Sequence, residues 1–308
     1  MTLAFVITAY KYPEQLIRLV TRLYEPNRHF FVHVDNKSSL ETFEKMVRGL
    51  TPFSNVHFLK KRYVCHWGSF GVVQATIDAI DKLAEHEYDY VFYMTGQCYP
   101  IKPNSFMDDF LDKHKAASFI EHSPFPSKGW RHGWYDRIEH WHFFSFGNYV
   151  CERLARIQNF RYEHPDWSIR LLADVLFPKR KFPQSLHPYG GEGTWCLHRT
   201  HINYIRRFMF ERPDFVRFFK FVFAPDEIFF QTILANSPFK NDLLNQKLHL
   251  IKWPPQSSHP LTFRLDHFDE LANSPALFAR KFDATVDDAI LDRIDKDILH
   301  ASPSRFIT

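Results

Sequence analysis

Two short segments carry side chains that could do chemistry together, although they lie far apart in the chain. The carboxylate pair Asp226-Glu227 stands at the start of an apolar run, and the cation pair Arg280-Lys281 stands between two phenylalanines. A carboxylate can accept a proton, and fixed positive charge can hold a departing diphosphate. These residue types therefore indicate transfer of a sugar from a nucleotide without help from a metal ion.

Both pairs also have ordinary structural interpretations. Acids in the first turn of a helix complement its dipole, so Asp226 is expected to be a helix cap. Glu227 is the better candidate base, because the following apolar residues would bury one side of the helix and leave this acid at the edge of a cleft. Adjacent cations are usually solvated surface, but Phe278 and Phe282 indicate an anchored segment whose charge is held in place.

The first part of the chain alternates strand and helix patterns. It predicts strands at residues 3–9, 30–34, 56–59 and 90–94, and helices at 14–24, 40–50 and 70–83. Further helices are predicted at 200–210, 225–235, 266–272 and 286–298. This order predicts an α/β fold with a mostly parallel central sheet and helices on both faces. Ligands bind beyond the carboxyl ends of such strands, where Thr8, Tyr10, Asp35 and residues 96–99 lie.

Composition excludes several classes of protein. Hydrophobic residues make up 45% of the 308 residues and aromatic residues 17%, which excludes a disordered chain. A net charge of +4 without a basic run argues against a nucleic-acid partner. No Walker loop, GxSxG, dinucleotide GxGxxG or cysteine-nucleophile motif is present, so most competing enzyme classes are excluded as well.

The expected location is the cytoplasm. The chain enters a strand pattern at once, and no apolar run approaches the roughly 20 residues that span a bilayer. The four cysteines show no zinc spacing and are interpreted as buried thiols in a reducing compartment. The weak positive charge fits anionic substrates, or peripheral association with the inner face of a membrane.

No metal and no cofactor are expected. Many nucleotide-sugar transferases hold a divalent metal with Asp-x-Asp after a buried strand, where this chain has Gly96-Gln97-Cys98-Tyr99-Pro100. The nearest acid-x-acid triplet, Glu87-Tyr88-Asp89, precedes the strand and so stands at its wrong end.

Ordered blocks across the chain resemble the Core-2/I-branching N-acetylglucosaminyltransferase family, which includes the peptide O-xylosyltransferases (glycosyltransferase family 14). The matching blocks are residues 31–35, 66–68 with 73–75, 90–102, 191–195, 225–232, 259–260 and 277–283. The resemblance implies one GT-A-like domain over residues 1–308, with a nucleotide-binding half (1–121) and an acceptor-binding and catalytic half (122–308). It also implies a UDP-sugar donor, inversion at the anomeric carbon and no metal requirement.

The resemblance also implies roles for individual residues. Glu227 matches the catalytic base, and Lys281 with Arg280 matches the cation that holds the diphosphate. A second cation of the family pattern matches His259 or Arg264. Trp67 is expected to contact the donor. The acceptor candidates are Glu121, Lys128, Arg131, Trp195 and Trp253. Cys98 departs from the family pattern, in which this turn usually carries Asp.

These observations predict an inverting, metal-independent glycosyltransferase. It would move GlcNAc, xylose or glucuronic acid from a UDP-sugar to a hydroxyl of a glycan or lipid-linked glycan, in the synthesis of a bacterial surface polysaccharide. Two alternatives stay open. One is a carbohydrate-binding protein without activity on the same fold, and the other is a metal-dependent transferase whose acids come from distant segments.

Overall fold

The computed structural model describes residues 1–127, 131–143, 175, 178–255, 257 and 259–301. Its strands are β1 (Leu3–Ala9), β2 (Arg28–Val34), β3 (Val56–Phe58), β4 (Tyr90–Thr95), β5 (Cys98–Pro100), β6 (Ser118–Ile120), β7 (Ser123–Pro124), β8 (Tyr189–Gly190), β9 (Trp195–His198), β10 (Leu243–Leu244), β11 (His249–Ile251) and β12 (Phe278–Arg280). Its α-helices are α1 (Pro13–Leu23), α2 (Leu40–Leu50), α3 (Gly71–Leu83), α4 (Asn104–Lys113), α5 (Tyr135–Glu139), α6 (Arg199–Glu211), α7 (Pro213–Phe219), α8 (Phe229–Ala235), α9 (Phe268–Asn273) and α10 (Ala289–Asp297).

The central sheet has the strand order β10-β6-β9-β4-β1-β2-β3. Of the six pairings that join these described strands, four are parallel and the two made by β9 are antiparallel. The predicted α/β class is confirmed. The reversal at β9 was not predicted, because a short strand carries no sequence signal for its direction.

Helices cover both faces of this sheet, as predicted. Phe5 and Ile7 of β1 face one buried cluster with α1, α2, α4 and α10, whereas Ala4 and Val6 face a second with α3, α6, α7 and α8. Successive side chains of a strand point to opposite faces, so a strand buried on both sides is a continuous apolar run. That is why residues 3–9 were recognised as a strand from sequence.

The predicted helix at 225–235 is interrupted. Residues Pro225–Glu227 form a 3-10 turn, and α8 begins only at Phe229, after Ile228 with φ −132° and ψ −36°. Ala224, which precedes the turn, has a left-handed backbone with φ 47° and donates its N–H to the carbonyl of Gly68 at 2.8 Å. The backbone conformation here is therefore set by contact with a distant loop rather than by local helix propensity.

Buried phenylalanines hold this interrupted segment in place. The Phe219 and Phe229 ring centroids lie 5.2 Å apart, and those of Phe215 and Phe229 lie 5.3 Å apart. All three side chains are fully buried. Truncating such a ring to alanine lowers the free energy of unfolding by about 3–5 kcal/mol. This packing therefore fixes α8 and the turn that precedes it.

A second sheet has the order β11-β12-β5. It joins three strands of three residues each, with β12 parallel to β11 and antiparallel to β5. Its register places Arg280 opposite Cys98. This sheet brings the end of the chain to the turn that follows β4.

Other sequence expectations concern membranes and thiols. Among the described residues, no helix has the length and apolar character needed to cross a bilayer. Cys65, Cys98 and Cys196 are free thiols, of which Cys65 is half-buried rather than buried. Cys151 lies outside the described residues.

Candidate active site

A cavity of about 500 Å³ opens at the carboxyl ends of β1, β2 and β4. Nine residues predicted from sequence line it: Thr8, Tyr10, Asp35, Trp67, Glu227, Trp253, His259, Arg280 and Lys281. The proposed base and the proposed diphosphate cations, far apart in the chain, therefore share one cavity.

The floor of the cavity is fixed by the ends of β1 and β2. The Asp35 carboxylate accepts a hydrogen bond from the backbone N–H of Lys37 at 2.8 Å, and the Arg62 guanidinium donates to the Asp35 carbonyl at 2.8 Å. The Thr8 hydroxyl lies 3.3 Å from the Tyr93 hydroxyl. These contacts hold polar groups still at the point where a nucleotide would enter.

The His66-Trp67-Gly68 turn forms one wall. Gly68 has φ +75°, and a Cβ there would lie 2.7 Å from the Phe223 ring, so a larger residue does not fit. The Trp67 ring stands edge-on to Phe223 at 5.1 Å and is 71% exposed. An exposed indole at a cavity wall can stack on a flat or apolar ligand face.

Glu227 is held from two sides. Its Oε2 accepts a hydrogen bond from Arg137 Nη1 at 2.5 Å, with both side chains partly exposed to the cavity. Its backbone carbonyl accepts the N–H of Gly191 at 2.9 Å. The carboxylate therefore has a defined orientation at the cavity wall, as a general base requires.

Glu227 belongs to a carboxylate cluster with Asp226 and Glu192, all of which line the cavity. Burial and the neighbouring Glu227 raise the pKa of Asp226 to about 7. Burial also raises the pKa of Glu192; nearby Arg280 opposes that rise, and Glu227 adds to it. Asp226, expected to be a helix cap, thus faces the cavity as part of a like-charged group.

The loop that carries Glu192 is pinned by Glu121. Glu121 Oε2 accepts the N–H of Glu192 at 3.0 Å, and a Cβ on Gly191 would lie only 1.9 Å from the Glu121 carbonyl oxygen. A Cβ on Gly193 would lie 3.3 Å from Asp226 Oδ2. Glycine is therefore needed for this loop to approach both neighbours. Glu121 itself stands behind the loop, outside the set of cavity-lining residues.

The opposite wall carries positive charge. Among the residues that the structure describes, the Nε of Arg280 is buried and has no hydrogen-bond partner. Burial, with Lys11 and Arg280 nearby, lowers the pKa of Lys281. Adjacent cations that repel each other in a partly buried wall bind an anion well, because the anion relieves both desolvation and repulsion.

Other predicted residues lie elsewhere. Trp195 is 2% exposed and packs between Tyr93 and Phe230, with both ring-centroid distances 5.4 Å, so its ring is part of the core. Arg264 is exposed at the start of the 3-10 turn Leu265–His267. Of the two candidate second cations, His259 is the one that lines the cavity. Lys128 and the side chain of Arg131 lie outside what the structure describes.

Sequence reasoning missed several cavity residues. Arg137 has no motif around it, and only the fold brings it to Glu227. Glu192 lies inside the matched block at residues 191–195, but an acid between two glycines is also typical of an ordinary surface loop. Lys37 and His66 also line the cavity; Lys37 follows the carboxyl end of β2, and His66 precedes α3.

A larger groove of about 770 Å³ lies among α3, α6 and α7. Its wall includes Asp81, Arg206 and the exposed Phe210, but no member of the carboxylate cluster. It lies away from the carboxyl ends of the strands, so the smaller cavity is the better candidate active site.

Comparison with known proteins identifies the family. Residues 3–273 match the family model described as Core-2/I-Branching enzyme. This chain belongs to the Core-2/I-Branching enzyme family. The α/β architecture agrees with the GT-A-like fold that the sequence resemblance implied.

Two relatives illustrate the range of this family. Xylosyltransferase sqv-6 of Caenorhabditis briggsae is 24% identical over 94% of this chain and 35% of its own length. Beta-glucuronosyltransferase GlcAT14A of Arabidopsis thaliana is 25% identical over 94% of this chain and 62% of its own. The chain thus spans less than two thirds of either relative. A crystal structure of the galactosyltransferase LgtC with donor and acceptor sugar analogs aligns over 98% of both chains, at 11% identity and a TM-score of 0.44, a score too low to support any argument.

Proposed function

We propose that this family member is an inverting glycosyltransferase that moves a sugar from a UDP-sugar to a glycan hydroxyl without a metal ion. The observation that supports this proposal is the shared cavity, in which Glu227 lies in one wall and Arg280 and Lys281 in another. The names of the relatives make UDP-xylose and UDP-glucuronic acid the first donors to try. UDP-GlcNAc follows from the family resemblance.

The proposed step is a single displacement. The acceptor oxygen forms a bond to the anomeric carbon as the bond from that carbon to the diphosphate oxygen breaks. The acceptor proton passes to Glu227, and UDP leaves with the bonding electron pair. Arg280 and Lys281 stabilise the charge that develops on the leaving diphosphate, which can lower the barrier by several kcal/mol in a closed site.

Arg137 is a positioning residue in this proposal. It binds one oxygen of Glu227 and so fixes the direction from which the carboxylate meets the acceptor hydroxyl. Asp226, with its pKa raised to about 7 by burial and by Glu227, is the alternative base, because a pKa near the working pH suits proton transfer. Trp253, 49% exposed in the cavity wall, is proposed to stack on the acceptor sugar.

A metal-dependent transferase is the second candidate, because three carboxylates, Glu192, Asp226 and Glu227, line the same cavity. Arg137 and Arg280 beside them argue against it, since they already supply positive charge. A UDP-release assay over the three donors, with and without EDTA, separates the two. Release that is unchanged by EDTA supports the metal-free mechanism, whereas strict dependence on added manganese contradicts it.

The base is tested by Glu227→Gln. We expect UDP release to fall by about 10²–10⁴, the usual contribution of a general base, while UDP binding measured by calorimetry stays nearly unchanged. Glu44→Gln, an exposed substitution on α2, is the matched control and should retain full activity. If Glu227→Gln remains active and Asp226→Asn does not, the base is Asp226. Glycan binding without UDP release from any donor would instead support a binding protein.

A further inference from the structure

A group of three histidines lies at the opposite end of β2 from the active-site cavity. His29 is near the start of β2, His57 is in β3, and His86 follows the end of α3. Asp35, at the cavity, lies beyond the far end of the same strand. At about 3.3 Å per residue, the two ends are roughly 20 Å apart. This histidine cluster is therefore separate from the proposed transfer chemistry.

The ring nitrogens of the cluster converge. One ring nitrogen from each histidine lies within 4.8 Å of the other two. The His57 and His86 ring centroids are 4.6 Å apart, and those of His29 and His86 are 5.0 Å apart. Phe31, which shares a face of β2 with His29, lies under the group, 5.1 Å from the His57 ring and 5.4 Å from the His86 ring.

Two ring nitrogens of the cluster have no hydrogen-bond partner within the described structure. His29 Nδ1 and His57 Nε2 are buried without a hydrogen bond. Buried polar atoms are nearly always paired, so two orphaned nitrogens in one cluster indicate a missing ligand. Burial, and then the neighbouring His86, lower the pKa of both His29 and His57. Both rings therefore favour the neutral form, which is the form that binds metals.

We propose that His29, His57 and His86 form a binding site for a divalent transition metal, with Zn²⁺ as the ion that fits it. Imidazole suits Zn²⁺, Cu²⁺ and Ni²⁺, and zinc imposes no geometry of its own from d electrons. Tetrahedral ligand nitrogens at about 2.0–2.1 Å from zinc are about 3.3 Å apart, so binding needs the nitrogens to close by at most about 1.5 Å. A water molecule would complete the coordination.

The metal would act on stability rather than on transfer. Its ligands come from β2, β3 and the segment after α3, so it would cross-link one edge of the central sheet to a helix that covers it. A metal that binds only the folded state raises the unfolding temperature as its concentration rises. The competing explanation is that the three rings simply pack against Phe31 and against one another.

The experiment is a Zn²⁺ titration of chelator-treated, metal-free protein, followed by calorimetry and by thermal unfolding. We expect one zinc per chain and an unfolding midpoint that increases with zinc concentration. His86→Ala should weaken zinc binding at least tenfold, whereas His300→Ala, at an exposed histidine outside the cluster, should leave it unchanged.

Two further measurements keep the result decisive. Should His86→Ala fold poorly by circular dichroism, His57→Gln serves as the second variant. Co²⁺ in place of zinc gives visible absorption whose intensity reports tetrahedral coordination. Equal zinc affinity in the cluster variants, or no binding by the parent chain, would show that the three rings are packed core and overturn the proposal. Neither result depends on UDP release, so this inference and the proposed function fail separately.

Discussion

Two regions of this protein keep charge away from water in opposite ways. Between α1 and α10, Asp295 accepts hydrogen bonds from Arg18 at 2.8 Å, from Arg22 at 2.7 Å and from the Tyr99 hydroxyl at 2.6 Å. This arginine–aspartate network also includes Asp292, 2.7 Å from Arg18. In the candidate active-site cavity, by contrast, the carboxylate cluster brings like charges together: Arg137 pairs with Glu227, but Asp226 still lies beside a second negative charge.

The difference separates stability from function. Burial disfavours the charged form of Arg18, but Tyr99 and Asp295 outweigh it and raise its pKa, so the folded state favours the ion pair. In the cavity, burial and Glu227 raise the pKa of Asp226, so the folded state disfavours its charge. Such perturbed groups are typical of functional sites, because a general base works best with a pKa close to the working pH.

The largest expected effect comes from removing the central aspartate of the arginine–aspartate network. Asp295→Asn leaves Arg18 and Arg22 buried with too little negative charge, which typically costs about 3–5 kcal/mol. The free energy of unfolding in urea measures this loss. Asp297→Asn, on the same helix, removes a half-exposed partner of Arg293 and should cost less than about 1 kcal/mol. Equal losses in the two variants would contradict the comparison.

A smaller effect is expected from removing the positive charge of Lys281 from the cavity wall. Lys281→Ala should weaken UDP binding about tenfold or more, because a hydrogen bond to a charged group contributes roughly 1.5–3 kcal/mol. Stability should change little, since the repulsion of Lys281 by Lys11 and Arg280 opposes its attraction to Asp283. Calorimetric titration with UDP gives the affinity, with the exposed Lys296→Ala as control. Unchanged UDP affinity would remove Lys281 from the donor site.

The carboxylate cluster predicts a pH dependence of stability. The pKa of Asp226 is about 7 in the folded protein against an ordinary value of 3.8, so between these pH values the folded state binds more protons. Stability should therefore fall as pH rises from about 4 to about 7. Asp226→Asn should reduce this decline by at least about 1 kcal/mol, because a tenfold change in proton affinity corresponds to about 1.4 kcal/mol. Urea unfolding at several pH values tests it, and parallel curves for both proteins would contradict it.

The smallest predicted effect comes from adding a negative charge next to Arg280 in the cavity wall. Cys98 stands opposite Arg280 in the β5–β12 register, and an acid there could pair with that guanidinium. Cys98→Asp should weaken UDP binding a few-fold, because Arg280 would then have a competing partner. Cys98→Ser, which adds no charge, is the control for packing. Stronger UDP binding in the aspartate variant would exclude this account of Arg280.

The sequence predicted some elements well and others poorly. The run at 3–9 and the helix at 40–50 agree with β1 and α2, because continuous burial and helical periodicity are strong local signals. The segment 225–235 was predicted as one helix, but it breaks at Ile228. Strands β5, β11 and β12 were missed; each has only three residues, so its sequence pattern is weak.

The candidate site shows the same division. Glu227, Arg280 and Lys281 could be selected from residue type and local context, and the structure brings them to one cavity. Trp195 matched a family block equally well, yet its ring is in the core. Arg137 and the histidine cluster had no sequence signal, because their partners lie on other elements. Whether a side chain faces a cavity depends on strand register, which composition and spacing do not encode.

By itself, the sequence determined the α/β class, the family and the residue types available for proton transfer and diphosphate binding. These follow from local periodicity and from side-chain chemistry, which a linear chain already contains. Only the tertiary structure decided that Arg137 binds Glu227, that burial and Glu227 raise the pKa of Asp226, and that Arg280 lies opposite Cys98. Electrostatic interactions depend on distance and on exposure to water, and both are set only when distant segments pack together.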